Sequence, residues 1–340
     1  MERKELHPGQ FLEISGNYWR ACTLHAGVKL DVFTVLGIKK LTSDEVSQKL
    51  NGEKRGVTAL LNALTAMDIL IKEGDRYSNT KSSASFLSKD SPQYIGHMIV
   101  HHNHLIDLWQ KLDQSVKTGE PILKGVSHIT DEWRESFLMG MFNMAMMLAP
   151  MIVNKVDLSK KRRLLDLGGG PGTYAVHFCL KNPQLKAAVY DLPTTCPFAK
   201  KTIERFGLTD RIDFIAGNYI EEDIKGVYDV IWLSHILHGE GPDECLKILR
   251  KAVAALEPGG MIMVHDFLLK NTMDGPLFPA LFSLNMLLAT PNGRSYSEEQ
   301  IIDMLDRAGV KDIQRIPLEI PNDSGVITGV VNGSVKEKGQ

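Results

Sequence analysis

Arg163-Leu164-Leu165-Asp166-Leu167-Gly168-Gly169-Gly170-Pro171-Gly172 decides how this chain is read. The apolar run is short enough for a buried strand, ends in an acid and breaks into glycines, and helical spacing follows from Thr173 to about Leu180. A parallel α/β sheet opens a nucleotide site this way: the strand stops, the backbone turns tightly, and a helix N-terminus points at the ligand. A side chain at such a turn would block the ligand or force an unfavourable φ.

The spacing narrows the ligand. Gly168, Gly170 and Gly172 give G-x-G-x-G, and Thr173 stands where the third glycine of a dinucleotide fingerprint belongs. Asp166, just ahead of the loop, would repel a pyrophosphate. A ligand with a cationic amino-acid moiety and no phosphate suits it better, which describes S-adenosylmethionine. Any tight strand-to-helix turn can show such glycines, so the surrounding chain has to carry the weight.

Downstream, strand and helix patterns alternate, which implies a mostly parallel sheet with helices on both faces. Seven strands are expected: Arg163–Leu167, Lys186–Asp191, Ile212–Ala216, Tyr228–Leu233, Met261–Phe267, Asp312–Pro317 and Val326–Val331. The last two lack a helix between them and should pair antiparallel at the edge. The tail Val335–Gln340 should fray.

Upstream, apolar residues from Phe11 to Leu36 (Phe11, Ile14, Tyr18, Ala21, Leu24, Val28, Val32) keep helical spacing. Leu41-Thr42-Ser43-Asp44-Glu45 reads as a strand end entering a helix capped by Thr42 or Ser43. A helix from about Gly56 to Leu70 and a hairpin turning at Gly74-Asp75 complete a winged-helix pattern. In a DNA reader the last of these helices would present polar side chains to the groove. Beyond Lys54, Arg55 and Asn62 it is apolar, which favours dimerisation over DNA reading. A helical pattern over Tyr94–Val116 carries His97, His101, His102 and His104, a loop covers Gly119–Ile129, and a methionine-rich helix is expected over Asp131–Val153. The histidines have metal-ligand spacing, but only Asp107 is near to complete a set, so local hydrogen bonding or a pocket lining is favoured and no metal is expected.

With 340 residues the chain is long for one domain, and 43% hydrophobic with 24% charged residues is ordinary globular composition. The expected division is 1–105 winged helix, 106–157 helical linker and pocket helices, and 158–340 ligand-binding domain. A formal net charge of -2 argues against nucleic-acid binding by bulk electrostatics. Cys22, Cys179, Cys196 and Cys245 lack C-x-x-C spacing and read as reduced thiols. Without a signal-like N-terminus or an apolar stretch judged long enough to span a bilayer, a cytoplasmic protein with no membrane partner is expected.

Asp191 ends the second expected strand, where a carboxylate can accept from both ribose hydroxyls. A helix-capping role is the competing reading, weakened by the intervening Leu192-Pro193. His238 follows the fourth strand and His235 lies three residues earlier.

Asp166 to Gly172, Tyr190-Asp191-Leu192-Pro193, His238 with Pro242-Asp243-Glu244, and Leu256-Glu257-Pro258-Gly259-Gly260 resemble class I S-adenosylmethionine-dependent methyltransferases. From Phe11 to Val331 the chain resembles the small-molecule O-methyltransferases of the caffeate, hydroxyindole and bacterial polyketide type. The resemblance implies a Rossmann-like catalytic domain, a winged-helix homodimer, S-adenosylmethionine as methyl donor and a small acceptor, with in-line transfer to an aromatic hydroxyl. It makes His238 the general base, with His235 a packing or pocket residue, and gives Asp266 the task of orienting the base. It also implies cofactor contacts from Asp166, Gly168, Gly170, Gly172, Asp191, Leu192, Asn218, Tyr219 and Ser234, and an acceptor pocket from His101, His104, Phe142, Asn143, Met146, Phe282 and Asn285. Asn218 stands where the family usually has Asp, Ser234 where it often has Lys, and Gly239-Glu240 where it often has Asp-Trp. A second family carboxylate is missing near Arg294-Ser295-Tyr296. Transfer to N, S or C, a non-methylating relative, a winged-helix DNA-binding regulator and a histidine-based metal enzyme stay open as alternatives.

Overall fold

The computed structural model describes residues 5–123 and 130–332. The chain divides into two compact units, Met1–Ile106 with Glu132–Asn143, and Asp107–Asp131 with Met144–Gln340.

In the first unit the expected helical stretch Phe11–Leu36 is three helices, Pro8–Gly16, Tyr18–Lys29 and Val32–Leu36, with left-handed Asp31 (φ 56°) setting off the last. Thr42 caps the helix Ser43–Leu50, and Glu45 returns a bond to the Thr42 N–H. The next helix, Lys54–Ala66, stops short of Leu70, and Asp68 just beyond it is left-handed (φ 59°). β1 (Leu41–Thr42), β2 (Leu70–Glu73) and β3 (Arg76–Asn79) form a sheet in the order β1-β3-β2, with the hairpin turn at Gly74-Asp75. Val28, Val32, Phe33, Leu36, Val46, Leu61, Leu64 and Tyr77 are its core. The apolar face of Lys54–Ala66 therefore packs inward. Phe11, Leu12, Ile14, Tyr18 and Trp19 of the first helices are exposed.

The pattern over Tyr94–Val116 is broken in two, Gly96–Trp109 and Leu112–Thr118. Of the loop expected at Gly119–Ile129, residues 124–129 lie outside the described residues, as does the tail Val335–Gln340. Asp131–Val153 is one 23-residue helix and corrects the expectation that no apolar stretch has membrane-spanning length. Half of its most apolar window is buried in protein, Leu138, Phe142, Ala145, Leu148, Ala149 and Ile152 included, as in the core helix of a folded domain.

The second unit is built on β4 (Arg163–Leu167), β5 (Lys186–Asp191), β6 (Ile212–Ala216), β7 (Tyr228–Ser234), β8 (Leu256–Leu269), β9 (Tyr296–Ser297), β10 (Val310–Arg315) and β11 (Ser324–Val331). The strand order is β10-β11-β8-β7-β4-β5-β6, with short β9 on β8. β8, β7, β4, β5 and β6 run parallel, and β11 is antiparallel to both β8 and β10, as expected for the edge. β8 is longer than expected because the chain already pairs at Leu256, before a register shift opposite Tyr228/Val230. Alternation along the strands divides the core. Leu165, Leu167, Ile231, Leu233 and Val264 pack with Leu249, Ile301 and Leu305, while Leu164, Val189, Val230, Trp232 and Met263 pack with Ala149, Ile152 and Phe178.

Asp229, on β7, accepts from the N–H groups of Arg162 (2.6 Å) and Arg163 (2.9 Å) and fixes the head of β4. Asp229→Ala leaves both donors without this acceptor and should cost about 2–3 kcal/mol in urea unfolding. An unchanged midpoint would mean that the ladder alone sets the register.

Candidate active site

The glycine loop turns over a buried acid. Asp166 is fully buried, and its Oδ2 accepts from Ala175 N–H (3.1 Å) in the first turn of the helix Thr173–Lys181. A Cβ on Gly169 would lie 2.6 Å from the Asp166 carboxyl carbon, so the loop can cover this acid only without a side chain there. Gly168 has φ +67°, and a Cβ on it would meet Ile236 at 2.6 Å and the Tyr219 ring at 3.3 Å. Gly170 and Gly172 also have positive φ; Gly170 donates its N–H to Asp191 Oδ2 (2.8 Å), and Gly172 begins the helix.

Asp191, the last residue of β5, accepts further bonds at Oδ1 from Leu192 N–H (2.7 Å) and the Thr195 hydroxyl (3.0 Å). No side chain caps the helical turns after β5, so the capping role thought weaker from sequence is not taken; the carboxylate instead ties the turn together and braces the glycine loop. The Leu192 side chain is exposed. Asn218 Oδ1 accepts from Ile220 N–H (3.0 Å), closing a local turn. Tyr219 lies beside Gly168, and burial, followed by Asp191 and Glu240, pushes its phenol up.

S-adenosylmethionine fits this cradle on two observations. Asp166 Oδ1 is buried without a hydrogen-bond partner among the described residues, and beyond Gly170 and its two chain neighbours no atom of the described residues lies within 4 Å of a Cβ position on Gly170. Burial, above all, pushes the Asp166 carboxyl up to about 7, and Asp191 adds to it. A cationic ligand group would compensate its ionised form.

His238 lies in the single turn Leu237–Gly239 beyond β7 and is clamped at both ends of its backbone. Its N–H donates to Asp266 Oδ2 (3.3 Å), and its carbonyl accepts from Arg294 N–H (2.8 Å). Its Nδ1 lies 2.6 Å from Asp266 Oδ1. Asp266, on β8, is 2% exposed, and Phe267 N–H also donates to its Oδ1 (2.8 Å). Burial would raise this carboxyl, but His238 and His235 beside it hold it well below the usual range. With Asp266 at Nδ1, the neutral ring carries its proton there and keeps the Nε2 lone pair as acceptor. Aromatic rings enclose the pair: Phe282 meets His238 edge-on at 4.8 Å, and Phe267 touches both Phe282 (4.6 Å) and Phe278 (4.9 Å).

His235 is left-handed (φ +57°), and its ring packs on His265 (4.4 Å) and Phe267 (4.3 Å). Its Nδ1 stands 3.5 Å from Asp266 Oδ1. Burial lowers its basicity, against the opposing pull of Asp266.

Sequence reasoning missed a polar chain on the other face of β8. His265, fully buried, has Ser234 Oγ 2.9 Å from its Nδ1 and Ser324 Oγ 2.9 Å from its Nε2. Tyr174 OH lies 3.4 Å from Nδ1, and Ser324 donates to Asn322 Oδ1 (2.7 Å). Ser234, expected at the cofactor, is engaged here. The one sequence signal was alternation: His265 precedes Asp266 and must face the other way.

The residues expected to line the acceptor pocket fall in both units. In the first, Asn143 donates its amide to the Tyr94 carbonyl (2.7 Å), and His104 Nδ1 lies 3.2 Å from the Ser136 hydroxyl. There too His101 packs on Phe137 (5.2 Å) with its pKa lowered by burial to about 4, and Phe142 is buried. In the second, Phe282 touches the base, Asn285 accepts from the Trp109 indole (3.1 Å), and Met146 sulfur lies 3.4 Å from His177. The metal-ligand spacing on Gly96–Trp109 gathers no three-donor cluster among the described residues.

A family model for the O-methyltransferase domain matches residues 109–311, and one for the O-methyltransferase dimerisation domain matches residues 12–89. The chain is 30% identical over 329 residues, 95% of each chain, to 3-hydroxy-5-methyl-1-naphthoate 3-O-methyltransferase of Streptomyces sahachiroi. It is 28% identical over 322 residues to the tetracenomycin polyketide synthesis 8-O-methyl transferase TcmO of Streptomyces glaucescens, covering 93% of this chain and 95% of that one. The solved structure of PigF with SAH superposes with a TM-score of 0.88 at 26% identity, covering 96% of this chain and 100% of the other.

Because Asp166 keeps its proton in the fold up to about pH 7, whereas an unfolded aspartate loses it near pH 4, ionisation opposes folding between these values. Its contribution to stability is greatest in acid and is lost as pH rises through about 7. Relative to Asp166→Asn, the ligand-free wild type should lose a few degrees of melting temperature between about pH 5 and 8. Parallel curves for the two proteins would mean that the acid is ionised throughout.

Proposed function

The chain belongs to the O-methyltransferase family and is an S-adenosylmethionine-dependent O-methyltransferase, and we propose that it methylates an aromatic hydroxyl of a small molecule with His238 as general base. The carrying observation is the 2.6 Å pairing of His238 Nδ1 with buried Asp266 at the carboxyl edge of the sheet. When bound, S-adenosylmethionine supplies an electrophilic methyl group on a sulfonium. Asp166, Gly168, Gly170, Gly172, Asp191, Leu192, Asn218, Tyr219 and Ser234 are the residues we assign to holding it.

In this reading His238 Nε2 takes the proton of the acceptor hydroxyl, and Asp266 holds Nδ1–H and stabilises the imidazolium that results. Phe267, Phe278 and Phe282 give flat apolar walls that exclude water and suit an aromatic ring. His101, His104, Phe142, Asn143, Met146 and Asn285 stay assigned to acceptor recognition. An aromatic acceptor also accords with the naphthoate named for the Streptomyces sahachiroi relative.

The dimerisation-domain match supports homodimer formation. We assign the interface to the first unit, where Phe11, Leu12, Ile14, Tyr18 and Trp19 are exposed. Residues 1–105 are then the dimerising part, 106–157 the linker and pocket helices, and 158–340 the catalytic part. Four unpaired cysteines accord with work in the cytoplasm.

Calorimetric titration with S-adenosylhomocysteine should give micromolar binding that Asp191→Ala weakens at least about tenfold, a loss of about 1.4 kcal/mol. Unaltered affinity would remove Asp191 from the cofactor site. On a panel of phenols, His238→Gln and Asp266→Asn should each lower kcat by about 10²–10⁴-fold, with S-adenosylhomocysteine affinity held within about twofold. Full turnover in His238→Gln would refute the base assignment.

A further inference from the structure

His235, His238 and Asp266 present three ligand atoms that all lie within 4.8 Å of one another. Asp266 Oδ1 is the hub, 2.6 Å from His238 Nδ1 and 3.5 Å from His235 Nδ1. His235 has a left-handed backbone (φ +57°), a conformation that histidine adopts more readily than most residues with a side chain. His235 Nδ1 is buried and has no hydrogen-bond partner among the described residues.

We propose that His235, His238 and Asp266 form a reversible inhibitory site for a divalent transition-metal ion of zinc type, which silences the enzyme by fixing the tautomer of His238. Two imidazoles and one carboxylate are zinc's own donor set, and three protein ligands leave a fourth position for water. Ligands about 2.0–2.2 Å from a tetrahedral ion lie roughly 3.3–3.5 Å apart, the spacing that His235 Nδ1 and Asp266 Oδ1 already have. The His238 contact must open by about 0.7 Å as metal replaces the bridging proton.

The proton balance gives the site its effect. A metal–nitrogen bond forms at His238 Nδ1, the N–H bond there breaks, and the proton is taken up at Nε2 of the same ring. No proton leaves the protein, and Nε2 now carries hydrogen in place of its lone pair. The ring can no longer take a proton from an acceptor, although the acceptor pocket is not filled. Inhibition therefore lowers kcat and leaves the acceptor KM in place. This last step rests on the reading of His238 as the base; the metal site itself does not.

The test uses the full-length protein, stripped of metal by chelator and titrated with Co²⁺ and Zn²⁺, with Mg²⁺ as an oxygen-preferring control. One equivalent of Co²⁺ should give the visible bands of a tetrahedral ion. Zn²⁺ should move the His238 proton from Nδ1 to Nε2 in nitrogen–proton correlation spectra of histidine-labelled protein. His235→Asn, a residue that tolerates the left-handed backbone, should weaken Co²⁺ binding by about 10–100-fold. Each protein's turnover of the best phenol is compared with its own metal-free rate, with EDTA restoring it. Absence of stoichiometric binding would overturn the proposal, as would Co²⁺ bands that survive His235→Asn and vanish when His101 and His102 are replaced. Inhibition that raises the acceptor KM instead of lowering kcat would overturn the tautomer mechanism. A metal-driven tautomer switch with unchanged turnover would leave the site standing and refute His238 as the base.

Discussion

A parallel sheet covered on both faces leaves polar groups only its strand ends. Along β4, β5, β7 and β8 the buried residues are almost all apolar until the last turns of chain, where Asp166, Asp191, Ser234 and Asp266 come in. A carboxylate placed there must be satisfied, and the nearest donors are the N–H groups of the turns that leave the sheet. Ala175, Gly170, Leu192, Phe267 and His238 provide them. Acid and turn thus hold one another, and the loops assigned to the cofactor are ordered by the acids at the strand ends.

The strands were legible because burial on both faces demands continuous apolar runs, and β4, β5 and β6 fall on the expected residues. Asp166 and Asp191 were legible too, as the acids at the ends of their apolar runs, whereas the roles given to His238 and Asp266 came from the family resemblance. Interruptions set by one residue were not legible. Asp31 and Asp68 take left-handed backbones that periodicity does not register, so Val32–Leu36 became a helix of its own and the helix expected to reach Leu70 ended early. The meeting of His235 with Asp266 was not legible, for a different reason. His235 and Asp266 are far apart in sequence and meet only because β7 and β8 lie side by side in register, Ser234 opposite His265.

Asn218 and Ser234 illustrate the limit of reading a position by its residue type. Each stands where the family resemblance implies a charged side chain, and each has been recruited by its own chain, Asn218 to close a turn and Ser234 to hold His265. Asp191 does both tasks at once, holding the turn after β5 through Leu192 and Thr195 and tethering Gly170. A carboxylate with several lone pairs can serve two masters; a neutral amide or hydroxyl has fewer groups to share.

His265 gives the buried polar chain a direction. Ser324 donates its one hydroxyl proton to Asn322, so toward His265 it can only accept, and the imidazole proton must sit on Nε2. Nδ1 is then a lone pair, and Ser234, 2.9 Å away, gives its own proton to it. What Ser234 retains at the end of β7 is oxygen lone pairs without a hydrogen. A serine in water reads donors and acceptors alike, whereas this one is polarised into an acceptor that favours N–H, O–H or cationic groups and discriminates against anions. The donor pattern along this buried chain is thus written by Asn322, two residues ahead of β11, the strand paired with β8.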